Sequence, residues 1–262
     1  MANKYGSFQK ILAPLRKSYS VILFLILWEV GCKTGLINQN FVAAPSVIIK
    51  TFWELAADGR IWSHIMVSLQ RTVVGFMLAI IIGIPLGVFL GGGFKTFERL
   101  VRPVLYFWGQ FNPFSLFPVF MLLLGIGEMS KIAMIFWVSL WPILFNTITG
   151  VKEVDPLLLK ASRSMGASRL LLFVRVVFPS ALPYIFTGIK MSSNIAFFML
   201  IAAEMIGASR GLGWLIWNAQ TNYQIPVLYA ATVTISLLGL IIGAIFKSLE
   251  KKFVNWKDAV SL

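Results

Sequence analysis

Asp155-Pro156-Leu157-Leu158-Leu159-Lys160-Ala161-Ser162-Arg163-Ser164-Met165-Gly166 opens a basic stretch that continues through Val176, Phe178 and Pro179 and lies between two long apolar runs. Asp155 as cap and Pro156 at the first helical position are helix-start signals. From there Leu157, Leu158, Ala161, Met165 and Leu172 can face apolar protein, while Lys160, Arg163 and Arg169 face water. Gly166 then ends or breaks the helix. A second short helix, Ser168 to about Val177, is expected to turn away before Pro179 and Pro183 stop it. Two short helices at an angle make a knob that can enter a cleft on a partner and carry rigid-body motion into the flanking segments. The alternative is an amphipathic connection resting on anionic lipid headgroups.

The surrounding composition fixes the environment. The chain of 262 residues is 58% hydrophobic and only 13% charged, and its mean hydropathy is strongly positive, whereas soluble domains carry about 25% charged residues. A polytopic membrane protein with five or six spans of roughly 20 residues follows, with no room for a separate soluble domain. The net charge of +13 is spread over the segments between apolar runs rather than gathered on one face or tail, so it reports topology and not nucleic-acid binding. A single Cys32 excludes an intrachain disulfide and a cysteine metal cluster. It is read as a small buried apolar residue.

Six spans are expected, each helical because lipid cannot satisfy bare backbone groups. They cover about Tyr19 to Leu36, Ile65 to Leu90, Pro103 to Ile126, Lys131 to Gly150, Leu182 to Ile206 and Pro226 to Phe246. The first is read as a retained signal anchor, since no clear small-residue cleavage site follows it. Between the first two, Pro45 and Ser46 start a short helix carrying Val47, Ile48, Phe52, Trp53 and Leu55, which suits the membrane interface. Gly91-Gly92-Gly93 ends the second span, and Gly125 to Ser130 makes a tight turn.

Lys and Arg set the orientation. Lys4, Lys10, Arg16 and Lys17 precede the first span; Lys95, Arg99 and Arg102 follow the second; Lys152, Lys160, Arg163, Arg169, Arg175 and Lys190 fill the basic segment and its edge; Lys247, Lys251, Lys252 and Lys257 close the chain. The alternate connections hold only Lys33, Lys50, Arg60, Lys131 and Arg210. Both termini and the basic segment are therefore expected on the cytoplasmic side.

Ala161, Gly166, Val176, Phe178 and Pro179 fall in register with a family pattern of Glu-Ala-Ala, three residues, Gly, nine residues, Ile, one residue, Leu-Pro. The segment thus resembles the cytoplasmic loop by which membrane subunits of bacterial ATP-binding-cassette importers dock on their ATPases. The resemblance extends over roughly Phe41 to Trp256. Pro45-Ser46-Val47, Ser68-Leu69 with Arg71, Gly75-Phe76, Pro85-Leu86-Gly87, Pro113 to Pro118, Leu124-Gly125-Ile126-Gly127-Glu128, Ser130-Lys131, and Ala203-Glu204-Met205-Ile206 with Gly211-Leu212-Gly213 are similar to permeases of the nitrate, sulfonate, taurine and bicarbonate group.

The resemblance implies an all-α type I importer permease fold of six transmembrane helices with cytoplasmic coupling helices. Residues 1–40 would form the N-terminal cytoplasmic segment and first span, and 41–262 the permease core, with the coupling loop at about 151–181. It implies half of a translocation pathway for a small anion, an organic sulfonate or taurine first and nitrate, bicarbonate or a vitamin precursor behind. A second copy, two ATPase subunits holding ATP and Mg, and an extracytoplasmic binding protein would complete the complex in the bacterial inner membrane. The chain itself has no Gly-Lys dipeptide and hence no phosphate-cradling Walker loop, and neither a cofactor nor a catalytic site is expected in it. The coupling residues implied are Asp155, Lys160, Ala161, Ser162, Gly166, Val176, Phe178 and Pro179. Lys160 stands where the pattern has Glu, so an acidic partner residue is implied there, or a pairing carried by Asp155 or Glu153.

Polar residues within spans are costly in lipid and are functional candidates. Gln110, Asn112 and Ser115 surround Pro113, which with Pro118 would loosen the third span and expose carbonyls toward a cavity. Asn146, Ser192, Ser193 and Asn194 either line the path or hydrogen-bond helix to helix. Glu29 is expected to pair with Lys33 one turn on, Arg71 to snorkel or meet substrate, and Glu204 to be structural. His64 alone makes no metal site. A secondary transporter would show repeat symmetry or paired broken helices, and an intramembrane enzyme a convergent catalytic set; neither is visible in the sequence.

Overall fold

The computed structural model describes residues 5–92 and 95–253, with side chains from 19 to 92 and 96 to 252. Among them every regular element is helical. Gly93, Phe94, Lys4, Trp256 and Lys257 lie outside the described residues. The chain divides into two compact units, one built from the residues up to Trp62 together with Leu215–Thr234, the other from Ser63–Trp214 and the residues from Ile235 on.

In the first unit, α1 (Tyr5–Lys33) contains most of the first expected span. Its residues Val21 to Leu27 are exposed on every side, the surface of a helix meant for lipid rather than water. The second helix, α2 (Pro45–Ala57), begins at Pro45 as expected. It buries Ile48 and Leu55 and leaves Trp53 exposed. Glu29 makes the expected pair with Lys33 at 2.8 Å. Its carboxylate also accepts the Ser46 backbone N–H at 3.0 Å and the Ser46 hydroxyl at 2.7 Å. One acidic side chain of α1 therefore satisfies donors at the start of α2 that a helix leaves open.

The second unit is organised around α6 (Glu128–Lys152), which spans the expected fourth segment. Against it lies α3 (Arg60–Gly91), whose Gly83, Gly87 and Gly91 repeat every four residues on one face. A Cβ on Gly87 would stand 2.6 Å from Thr147 Cβ and 3.0 Å from the Leu144 carbonyl oxygen, and one on Gly91 2.8 Å from Val151 Cβ. Absence of side chains is thus what lets the two backbones meet, the usual route to helix association where lipid offers no hydrophobic drive. Gly87→Val is expected to force α3 off α6 and cost about 2 kcal/mol, read as a lowered unfolding midpoint of the purified chain in detergent.

On the other side of α6 runs a long helix ending in α9 (Phe178–Gly207), with Gly150 and Gly188 close against Tyr184 and Asn146 respectively. Phe76, Ala79, Ile135, Ile143, Ala196 and Leu200 form the buried core of these three helices.

The third expected span is not one helix. It is α4 (Lys95–Gly109) and α5 (Pro113–Leu124), bent by 93° at the break. Asn112 caps α5 by accepting the Phe114 N–H at 2.9 Å, and Pro113 occupies the first turn. Proline there starts a helix instead of loosening one. Phe117 of α5 is buried with Met134 and Val138 of α6 and Met199 and Ala203 of α9.

A second correction concerns Pro179 and Pro183, expected to stop a helix. The chain instead stays helical from Arg169 to Gly207 over 39 residues. It passes from α8 (Arg169–Leu172) through a π-turn, Phe173–Val177, into α9. The Phe178 N–H bonds to the Phe173 carbonyl, five residues back. That register shift just ahead of Pro179 makes room for a ring that would clash in an unbroken α-ladder.

After α9 come α10 (Leu212–Thr221) and α11 (Ile225–Phe253), the latter containing the last expected span. Among the described residues four helices are long and apolar enough to cross a membrane, Arg60–Gly91, Glu128–Lys152, Arg169–Gly207 and Ile225–Lys252, and the bent pair makes a fifth.

Candidate functional site

The basic segment folds as its local signals dictate. α7 (Pro156–Ser164) is capped by Asp155, whose carboxylate accepts the Leu157 N–H at 2.7 Å. It ends at Gly166, which has φ of +77°. There Ala167 N–H bonds to the Ser162 carbonyl at 3.1 Å and Gly166 N–H to the Arg163 carbonyl at 3.0 Å. These paired bonds are a Schellman stop, and the left-handed conformation it needs is one glycine adopts without Cβ strain. Ser168 then caps α8 by accepting the Leu171 N–H at 3.3 Å.

The knob shows apolar side chains that nothing in its own unit covers. Leu157 is 71% exposed, Met165 80% and Leu170 74%; Leu158 and Val174 are exposed too. Lys160, Ala161 and Arg163 are exposed on the same short helix, and Ser162 is half-buried. Of the other coupling candidates, Val176 and Pro179 are half-buried and Phe178 is exposed, its ring tilted against Phe173 with centroids 6.2 Å apart. Val177 packs beneath them on Val151, Ala181 and Ile185. An apolar patch rimmed by basic residues is the usual mark of a protein-binding surface. Its attachment through Val177 to the α6–α9 contact gives it a rigid link to the spans.

The candidates for the transport path are dispersed. Gln110, Asn112 and Ser115 are exposed around the α4–α5 break. Asn146 is half-buried on α6 and donates to the Pro142 carbonyl at 2.8 Å. Ser193 is buried and Asn194 exposed on α9. Ser192 is buried and donates to the Ser139 carbonyl of α6 at 2.7 Å, a helix-to-helix bond.

The sequence treated Arg71 and Glu204 separately, and here the fold departs from expectation. Arg71 neither snorkels nor stands open: its side chain is 3% exposed and bonds to two carboxylates. Its Nη1 meets Glu204 at 2.7 Å and the Arg210 carbonyl at 2.8 Å, while Nε and Nη2 form a fork on Glu128 at 2.5 and 2.6 Å. Glu204, fully buried, also accepts from the Ser68 hydroxyl at 2.8 Å and the Gly213 N–H at 2.9 Å. His64 stacks on Trp214 and its Nδ1 accepts the Gly211 N–H at 3.1 Å.

This cluster ties α3, α6, α9 and the turn before α10 together at the end of the unit opposite the basic segment. The signal available in sequence was a pair of opposite charges on apolar helices, each needing a counter-charge in lipid. Gly211 and Gly213 leave the space for Glu204, since a Cβ on Gly211 would overlap its carboxylate.

Residues 83–255 match the family described as binding-protein-dependent transport system inner membrane component. The chain is 28% identical over 256 residues to the putative aliphatic sulfonates transport permease protein of Bacillus subtilis, covering 98% of this chain and 90% of that protein. It is 27% identical over 246 residues to the taurine transport system permease protein of Escherichia coli, covering 92% and 89%. Among solved structures, an inward-facing form of the MetNI methionine ABC transporter agrees in fold with a TM-score of 0.63 at 21% identity, over 72% of this chain and 93% of that one.

Proposed function

Because this chain belongs to the family of binding-protein-dependent transport system inner membrane components, we propose that its knob, Asp155 to Pro179, is the surface on which a separate ATPase docks. The chain is a multi-pass permease component of an ABC importer, and ATP hydrolysis belongs to another subunit. The observation that carries the docking reading is the knob itself: a helix fixed at both ends, by Asp155 and Gly166, that exposes Leu157, Leu158 and Met165 beside Lys160.

Around it the complex holds two ATPase subunits, a second copy of this chain and an extracytoplasmic binding protein. Both termini lie in the cytoplasm, a reading supported by the distribution of Lys and Arg. Gln110, Asn112, Ser115, Asn146, Ser193 and Asn194 contribute to the path. The cargo is a small anion, an organic sulfonate or taurine before nitrate, in line with the relatives' transport of aliphatic sulfonates and taurine.

Purification of the tagged chain in mild detergent tests this. An ATPase subunit bearing a Walker loop is expected at one copy per permease, and uptake by the assembled complex is expected to favour taurine or an alkanesulfonate over nitrate. A lone oligomer would overturn the docking reading, and uptake of nitrate alone the cargo assignment.

A further inference from the structure

Behind the exposed Leu157, Leu158 and Met165 lies a cleft of about 1320 Å³, lined in part by the knob's own inner residues. α7 presents two faces. Leu157, Leu158, Ala161 and Met165 point away from the cleft, whereas Pro156, Leu159 and Arg163, three and four residues apart, line it. The opposite wall comes from α4, through Arg99 and Arg102, and Arg169 stands at the entrance to the long helix. The same lining includes the apolar residues Leu90, Val151 and Leu172, of which Leu90 and Val151 are buried.

Charge in the cleft is unbalanced. Its one acidic lining residue, Glu98, is buried against Lys152 in an ion pair. Arg102 lies over the Tyr106 ring, 5.4 Å from its centroid. Arg99, Arg163 and Arg169 have no partner among the described residues. Four guanidinium groups therefore share a cavity with no free carboxylate, and planar forked donors of this kind bind phosphate oxygens in pairs.

Depth narrows the occupant. The cleft forms where α3 ends at Gly91, α6 ends at Lys152, and α4 and α8 begin, at the level where the apolar spans give way to basic connections. A ligand with an anionic head and an apolar root fits both parts. We propose that the cleft is a site for one anionic phospholipid of the adjoining leaflet, its phosphate held by Arg99, Arg102, Arg163 and Arg169 and its acyl roots on Leu90, Val151 and Leu172. The site rests on the chain lying in a bilayer and not on the docking reading.

Native mass spectrometry of the detergent-purified transporter, supplied with phosphatidylglycerol or phosphatidylcholine, tests the assignment. The wild-type complex is expected to retain phosphatidylglycerol on the order of tenfold more than phosphatidylcholine. Arg99→Gln with Arg102→Gln should remove that preference without detaching the ATPase, because α4 is outside the docking segment. Arg163→Gln with Arg169→Gln should remove it as well. Equal retention of the two lipids by the wild type, or an unchanged preference in both variants, would overturn the proposal. So would an Arg99→Gln, Arg102→Gln complex that sheds its ATPase while keeping the lipid, since acidic side chains of the partner would then be what the cleft holds.

Discussion

Glu204→Ala is expected to destabilise the chain by about 3–5 kcal/mol, a fall in unfolding midpoint on the order of 10 °C. Glu204 has no exposed surface and Arg71 almost none. Removing the carboxylate leaves the Arg71 Nη1 with the Arg210 carbonyl alone and strips an acceptor from the Ser68 hydroxyl and the Gly213 N–H. A buried charge that has lost its partner costs far more than the pair contributed, because its desolvation is no longer offset. Arg71 keeps its fork on Glu128, but that carboxylate is 60% exposed and lies in a more strongly screened setting.

A double change separates charge from packing. Arg71→Met with Glu204→Met should recover much of the loss, since two apolar side chains replace the pair in place. If the single variant unfolded at the wild-type midpoint, the Arg71–Glu204 pair would not be holding α3 to α9.

Local chemistry was legible where the responsible residues are neighbours. Asp155 and Pro156 announce the start of α7, Gly166 its end, and the structure follows both. Asn112 and Pro113 carry the same start signal for α5, yet the unbroken hydropathy of Pro103 to Ile126 outweighed it and hid the 93° bend. The local signal was the better guide, because a side-chain cap fixes the direction of a helix whereas hydropathy records only its surroundings. At Pro179 the failure has another cause. A proline normally ends a helix, and only the π-turn at Phe173–Val177 removes the clash, a register shift that no residue type announces. The charge cluster was half legible: Arg71 and Glu204 each demanded a partner, but they stand 133 positions apart and only packing brings them together.

Gly166→Val is expected to abolish substrate transport while the chain still inserts and the complex still hydrolyses ATP. The φ of +77° at Gly166 is open to glycine and strained for a β-branched residue by about 2 kcal/mol. That is a factor of roughly thirty against the bent form. Nothing lies within 4 Å of a Cβ placed there, so the strain is in the backbone alone and leaves the membrane core untouched. Without the turn, the paired bonds from Ala167 and Gly166 to Ser162 and Arg163 are lost, and α7 no longer leaves the long helix at its present angle. On the proposed docking, a knob that sits wrongly on the ATPase would not pass its motion through Val177, which packs on Val151, Ala181 and Ile185, to α9. Gly166→Asn, which tolerates the left-handed region, should keep a large share of transport. The two variants therefore separate the turn from the loss of glycine as such. Normal substrate uptake by Gly166→Val in proteoliposomes would refute the coupling role of the segment. Loss of uptake together with loss of ATP hydrolysis would mean instead that the turn holds the ATPase on the permease and does not merely transmit its motion.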